Sequence, residues 1–407
     1  MVHHTIATKM TKASKASSKI KPMTASLLLR ASLALIVGSL VACSSSPPRP
    51  STPRPSPTQP SIDVQEGPVI GPAVVRAKSR WLPVAWSELP GFQDDQLHEA
   101  WNAWLRSCER PPAALASLCG DVRRLSIGNA AEQRQWLQTH WQPYRVQALD
   151  GSVEGMLTSY YEPELHGSRL RTPEYNIPLY GTPAGFGVRK PWYTRQQIDT
   201  LPEAQAALAG REIAWLNDPI EALVLHIQGS GRVRMIEADG RVRNIRLAYA
   251  GTNDQPYKSV GRWLLDRKLI TDASWPGISN WIAANPERVQ EMLWSNPRYV
   301  FFKEEALEGL DAQFGPKGAQ GVPLTPGRSI AVDRASIPYG TPVWMYSKGI
   351  EVEYKRLVLA QDTGSAIVGA VRADYFMGWG KEAGDLAGRI KQPLRLWTLW
   401  PKGVPIP

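Results

Sequence analysis

The chain has 407 residues, 43% of them apolar and 21% charged. That balance suits a globular protein of two or three domains, or one large one, and excludes wholesale disorder, a collagen and a multi-span membrane protein. The net charge of +10 is unevenly placed: residues 1–42 carry Lys9, Lys12, Lys15, Lys19, Lys21 and Arg30 and no acid, and without those six the 47 basic residues fall to 41 against 37 acidic ones. So even a balance over the rest of the chain gives no nucleic-acid reading.

The N-terminus reads as an export signal. A basic stretch ends at Arg30, an apolar run covers 31–42, and Cys43 follows. Basic, then apolar, then small residues before a cut is the pattern of a secretory signal. The run is short of the roughly 20 apolar residues that span a bilayer. Leu40-Val41-Ala42-Cys43 resembles a bacterial lipobox. Cleavage there makes 1–42 the signal peptide and Cys43 a lipidated first residue, stably anchored by several acyl chains. The alternatives are an uncleaved anchor helix with an incidental cysteine, and a start at Met23. Residues 47–60 hold seven prolines with Ser and Thr between them, so 43–66 reads as an extended leash. Ser44 after the cysteine, rather than Asp, points to the outer membrane by analogy with lipoprotein sorting, with the body facing the periplasm.

The other two cysteines, Cys108 and Cys119, belong to an exported chain and are candidates for a disulfide closing a short loop. They lack metal-site spacing, and His98, His140, His166 and His226 are scattered. The expectation is no metal and no cofactor.

From Asp94, the residues Leu97, Trp101, Trp104, Leu105 and Cys108 recur at helical spacing, with Asp94 or Asp95 as cap. A second helix is expected over 130–140. From Tyr144 onward, short apolar or alternating runs separated by Gly, Pro and Asn-Asp turns predict strands of a barrel or sandwich, at 156–161, 222–228, 243–248, 343–346 and 357–360. Helices around 258–267 and 278–292 interrupt them. No internal repeat is present.

Four patches are too polar, aromatic and glycine-rich for plain core: 155–163, 223–232, 249–257, and 329–333 leading into 361–374. Planar amides and hydroxyls that bond sugar hydroxyls, beside aromatic rings that stack on sugar faces, make up a glycan site. The sixteen tryptophans fit that use, although core packing accounts for most tryptophans.

Three aspartates stand out. Asp362 ends an apolar strand and opens a Thr-Gly-Ser turn, so it points into a cleft or closes its own Asx-turn. Asp374 has apolar and aromatic neighbours, which desolvate a carboxyl and raise its pKa as a general acid requires. Its alternative is a salt bridge to Arg372. Asp333 alone reads as an ordinary loop residue. Asp362-Thr-Gly-Ser also matches the tetrapeptide of pepsin-like proteases, but those need a second aspartate in a second copy, and the chain has none.

From about 153 to 400 the chain resembles the membrane-bound lytic murein transglycosylase A family. The matching pieces are Leu157-Thr-Ser-Tyr-Tyr-Glu-Pro163, Trp215 with Asp218-Pro219, Ile227-Gln-Gly-Ser-Gly231, Tyr249-Ala-Gly-Thr-Asn253, Asn296-Pro-Arg-Tyr-Val-Phe-Phe302 and the set Asp333, Asp362, Asp374. Residues of about 310–400 are similar to the small 3D module, named for three aspartates. The chain departs at Ser159, where the family often has Gly, and at Asp254, where Gly is common.

The resemblance implies a mostly β protein with a few helices. A double-psi β-barrel domain would be built from 67–160 and 299–407, a smaller β domain would be inserted at 161–298, and a groove between them would hold a glycan strand. The implied reaction cleaves the β-1,4 bond between N-acetylmuramic acid and N-acetylglucosamine in peptidoglycan and leaves a 1,6-anhydro ring. Asp374 matches the catalytic acid/base, Asp362 would orient the site or stabilise charge, and Asp333 would support the barrel loop. Thr158, Tyr160, Tyr161, Gln228, Ser230 and Asn253 are candidate sugar contacts, with turn or packing duty as the alternative for each. The implied partners are glycan strands, the membrane through the lipid, and a cell-wall synthesis complex, for a monomeric protein. Two other classes stay open, a hydrolase adding water on the same fold and a non-catalytic peptidoglycan-binding lipoprotein.

Overall fold

The structure is a computed structural model and describes residues 61–407. The expected signal peptide, Cys43 and all but the end of the expected leash lie outside the described residues. Strands β1 (Val74–Val75), β2 (Ser79–Pro83), β3 (Trp141–Ala148) and β4 (Gly155–Glu162) come first. Next come β5 (Glu164–Ser168), β6 (Ile177–Tyr180), β7 (Glu212–Leu216), β8 (Gly231–Ile236), β9 (Val242–Thr252) and β10 (Val300–Ala306). The last are β11 (Ser329–Val332), β12 (Pro342–Lys348), β13 (Glu353–Asp362), β14 (Arg372–Trp379) and β15 (Lys391–Pro401).

They form two sheets. The first has the order β1-β2-β3-β15-β12-β13-β11-β14-β4, and a further pairing of β15 with β4 closes six of its strands into a ring. Within the ring, β11 runs parallel to β13 and β14 parallel to β4; the other pairs are antiparallel. Closure removes the open edges that a flat sheet would leave exposed. The second sheet has the order β10-β9-β8-β5-β7-β6. It extends past the expected boundary at 298, because β10 pairs with β9 from Val300 to Ala306.

Tryptophan dominates the first core. Trp81, Trp141, Trp344, Trp397 and Trp400 are buried inside the barrel cluster, and nine of the sixteen tryptophans are buried in all. Packing rather than sugar stacking therefore uses most of them. Helices α1 (Leu97–Ser107), α2 (Cys119–Leu125) and α3 (Ala130–His140) cover one side of this core. There Trp101, Trp104, Trp136 and Trp141 meet mostly edge to face. Cys108, the C-cap of α1, is bonded to Cys119 at the start of α2.

The start of α1 differs from the expectation. Gln96 is its N-cap and makes no side-chain cap bond. Asp95 is used elsewhere: its carboxylate takes two bonds of 2.9 Å from the Arg328 guanidinium and one of 2.9 Å from the Leu357 amide. A buried guanidinium demands acceptors more strongly than an exposed helix end does.

The second sheet carries α4 (Arg195–Thr200), α5 (Pro202–Leu208), α6 (Pro219–Gln228), α7 (Val260–Asp266), α8 (Trp275–Ala284) and α9 (Val289–Trp294). The run at 222–228, predicted as strand, is helix α6. Asp218 caps it through the Ile220 amide, Pro219 occupies its first turn, and left-handed Gly229 ends it. Its residues are apolar on two faces because it is buried on two: Ala222 and Leu225 pack on the sheet, while Leu223 packs with α7 to α9. Burial on two faces blurs the helical periodicity. The expected helix at 278–292 is broken at Asn285-Pro286 into α8 and α9. Among the described residues no helix is long and apolar enough to cross a membrane.

Replacing Asp95 by Ala leaves Arg328 buried with only the partly exposed Glu99 as its ionic partner. Breaking such a pair costs about 3 kcal/mol. Urea unfolding followed by tryptophan fluorescence will show a lower midpoint for Asp95→Ala.

Candidate active site

Four adjacent strands of the ring carry one row of residues. Ala331 on β11 is in register with Asp362 of β13 on one side and with Asp374 of β14 on the other. Asp374 is in register with Thr158 of β4. The row thus reads Asp362, Ala331, Asp374, Thr158. With strands about 4.8 Å apart, the two aspartates are separated only by the small side chain of Ala331.

Asp374 keeps part of its surface open, and its Oδ1 accepts a 2.5 Å bond from the Thr158 hydroxyl. Burial pushes its carboxyl up to about 6, helped by Asp362, while Thr158 and Arg372 pull the other way. The expected alternative, a salt bridge to Arg372, is not formed. Arg372 donates to the Thr158 hydroxyl at 2.8 Å instead.

Asp362 accepts from the Tyr160 phenol at 2.8 Å through Oδ2 and from the Ala319 amide at 2.9 Å through Oδ1. Burial raises its pKa against these bonds. Tyr160 also packs on Phe376, with ring centroids 5.3 Å apart. Asp333 is different in kind. Lys78 and the Gly369 amide hold its Oδ2, each at 2.9 Å, and the Ala335 amide holds Oδ1 at 3.0 Å. Burial would raise this carboxyl, but these donors together outweigh it and keep it low.

The face of β4 that meets Asp374 continues along Thr158, Tyr160 and Glu162. Fully buried Glu162 receives Arg232 of β8 at 2.9 Å and Arg246 of β9 at 2.6 Å. Both arginines also bond the Phe314 carbonyl. This triad ties the ring to the second sheet. Beside it, a cavity of about 250 Å³ is lined by Arg246, Asp311, Phe314, Gly315 and Lys317, among others. A cavity of about 570 Å³ lies instead around Trp136 and His140 on the outer helices and holds none of the expected site residues.

The sequence profile of the MltA specific insert domain matches residues 156–303, and that of the 3D domain matches 328–400. Membrane-bound lytic murein transglycosylase A of Escherichia coli (strain K12) is 32% identical over 285 residues, covering 67% of this chain and 72% of the relative. The chain belongs to the membrane-bound lytic murein transglycosylase A family. Among solved structures, the lytic transglycosylase LtgG of Burkholderia pseudomallei is 44% identical, with a TM-score of 0.55 over 82% of this chain and 98% of that one. E. coli MltA with bound chitohexaose is 26% identical, with a TM-score of 0.61 over 75% of this chain and 89% of that one. The closed ring is accordingly the double-psi β-barrel of the MltA fold, and the second sheet is its insert. All three aspartates fall within or beside the strands that the 3D profile covers.

The six expected sugar contacts divide in this MltA-family fold. Thr158 and Tyr160 lie in the acid cluster. Tyr161 is half-buried against Gly384 of α10 (Gly380–Ala387), and its amide donates to Gln228 at 3.1 Å, so Gln228 links α6 to β4. Ser230 is buried in the turn before β8. Asn253 is fully buried, and its amide donates to the Tyr193 and Pro297 carbonyls and accepts from the Tyr299 amide, all at 2.8 Å. With its donors used in this way, Asn253 serves as a latch within the insert. The sequence reading missed the part played by Ala331, Phe376, Glu162 and the two arginines. Only Arg372, two residues before Asp374 and hence on the same strand face, carried a readable signal.

The raised carboxyl also has a stability consequence. Unfolded, this aspartate ionises near 3.8; folded, it does so at about 6. The fold therefore holds the proton more tightly, and the stability present below pH 3.8 is lost as pH rises through 6. Asp374→Asn removes that loss, so its Tm will exceed that of the parent at pH 7.5 and match it at pH 3.5.

Proposed function

We propose that this chain is a lytic transglycosylase that cleaves the β-1,4 MurNAc–GlcNAc bond of peptidoglycan with Asp374 as its single acid/base. The supporting observation is a carboxyl held by burial at about 6, in contact with a hydroxyl donor and partly open to solvent. In the first half of the reaction, protonated Asp374 gives its proton to the glycosidic oxygen as the bond from C1 to that oxygen breaks. The muramoyl C6 hydroxyl then attacks C1, and its proton returns to the Asp374 carboxylate. Attack from within the same sugar gains effective concentration, and no water is consumed.

Asp362 assists. Both of its oxygens already accept hydrogen bonds, which suits orienting Tyr160 and β4 better than activating a water. That observation favours the lytic reading over a hydrolase, which needs a second working carboxylate. Asp333 braces the loops at 335 and 369. Thr158 and Tyr160 line the reacting end of the glycan site. The insert at 161–298, with β10 added, would form the opposite wall of a groove against the barrel built from 67–160 and the C-terminal segment.

The relatives are named as membrane-bound. For this chain the lipobox supports attachment through lipidated Cys43 to the outer membrane, facing the periplasm on its 43–66 leash. Tethering raises its concentration near the polymer without new contacts.

Purified peptidoglycan treated with the enzyme will release anhydro-muropeptides by mass spectrometry, and Asp374→Asn will release none. Products heavier by one water would make it a hydrolase, while intact glycan retaining the protein would make it a wall-binding lipoprotein. The kcat/KM of the parent will fall as pH rises above about 6, because the first step needs the protonated carboxyl.

A further inference from the structure

Arg372 and Asp374 lie two residues apart on β14, and Thr158 stands opposite Asp374 on β4. The guanidinium spans both strands. Its Nη1 donates to the carbonyls of Ala373 at 2.5 Å and Met156 at 3.3 Å, and its Nη2 donates to the Thr158 hydroxyl at 2.8 Å. A guanidinium is always charged and can only donate. A threonine hydroxyl has one hydrogen. With Arg372 on its lone pair, that hydrogen goes to the remaining neighbour, Asp374 Oδ1, 2.5 Å away. A carboxyl proton on Oδ1 would then meet the hydroxyl hydrogen head-on. The bond from Thr158 thus falls on Oδ1 and leaves Oδ2 as the oxygen that can carry the proton.

We propose that Arg372 is a positioning residue that acts through Thr158: it fixes the threonine hydroxyl as a donor to Oδ1 and so confines the exchangeable proton of Asp374 to Oδ2. The proposal rests on the reading of Asp374 as the acid. It supplies what that reading lacks, a reason why one defined oxygen presents the proton and takes it back. The proton leaves Oδ2 for the glycosidic oxygen and returns to Oδ2 from the C6 hydroxyl, while Oδ1 keeps its bond from Thr158 throughout.

The charged and titratable groups around Asp374 are few. On its own strand there is Arg372. Across Ala331 lie Asp362 with the Tyr160 phenol, and at the end of β11 the Lys78–Asp333 pair. Lys391 of β15 is in register with Thr158 from the far side of β4. Of these, Arg372 is the cation coupled to Asp374 through a hydroxyl. Removing it takes away a charge that favours the carboxylate and leaves Asp362, which disfavours it, in place.

The test uses the whole enzyme on purified peptidoglycan. Arg372→Met keeps most of the side-chain volume and has no donor. Its kcat will fall about tenfold, a fraction of what a general acid contributes, with KM nearly unchanged. The upper limb of its kcat/KM profile will move to higher pH. Thr158→Val will do the same, Thr158→Ser will not, Arg372→Lys will recover part of the loss, and the Arg372→Met, Thr158→Val pair will be no worse than either alone. An unmoved limb in both Arg372→Met and Thr158→Val overturns the relay. So does a rise in KM alone, which would mean that Arg372 touches substrate, or an equal loss at every pH with a lower Tm, which would mean a structural role only. If Arg372→Met does not fold, the comparison of Thr158→Val with Thr158→Ser decides by the same limb. Asp374→Asn, run alongside, separates the two readings: anhydro products from that variant overturn the acid itself, whereas an inactive Asp374→Asn with unmoved limbs in Arg372→Met and Thr158→Val overturns only the relay.

Discussion

The parallel pairing of β4 with β14 is the contact on which the site depends. It joins residues more than two hundred positions apart, and with the pairing of β4 to β15 it closes the ring. Closure buries the Asp374 carboxyl and delivers Thr158 to it in the same step. The two strands meet this closely because β4 begins at Gly155. A Cβ there would lie 1.7 Å from the Val371 carbonyl oxygen, a separation no side chain can adopt. The glycine is required by close approach rather than by an unusual backbone angle.

The same strand then reaches the insert. Alternation along β4 puts Thr158, Tyr160 and Glu162 on one face, so a line of polar groups runs from the acid to the joint between the sheets. Its last member, Glu162, holds two arginines from β8 and β9 with no solvent contact. A buried ion triad returns little net stability for its desolvation. Its effect is geometric. Arg232 and Arg246 also fasten the 312–314 segment, and Arg232 lies 3.7 Å over the Trp379 ring at the end of β14. Strand β14 and the second sheet are thereby fixed to one another.

The acid pair shows how a single fold gives two carboxyls different work. Asp362 and Asp374 flank the same alanine, and burial raises both. Asp362 accepts on both oxygens, from Tyr160 and the Ala319 amide, whereas Asp374 accepts on Oδ1 from Thr158. The first is fastened to two other segments, and the second stays partly open to solvent. Asp333, with a lysine and two amides, is further along the same scale and stays ionised.

The sequence by itself determined the elements whose cause is local. The spacing of Leu97, Trp101 and Trp104 specified α1, the turn chemistry after Tyr144 specified short strands, and the apolar setting of Asp374 already called for a raised pKa. Tertiary structure decided whatever depends on which strands meet. It made 222–228 a helix buried on two faces, gave Asn253 the packing duty that was its alternative, took Asp95 from a cap to Arg328, and steered Arg372 past Asp374 to Thr158. The reason is the same in each case. Periodicity and composition act over a few residues, whereas the partner that satisfies a buried charge or amide arrives from a strand far along the chain, and only the closed ring selects it.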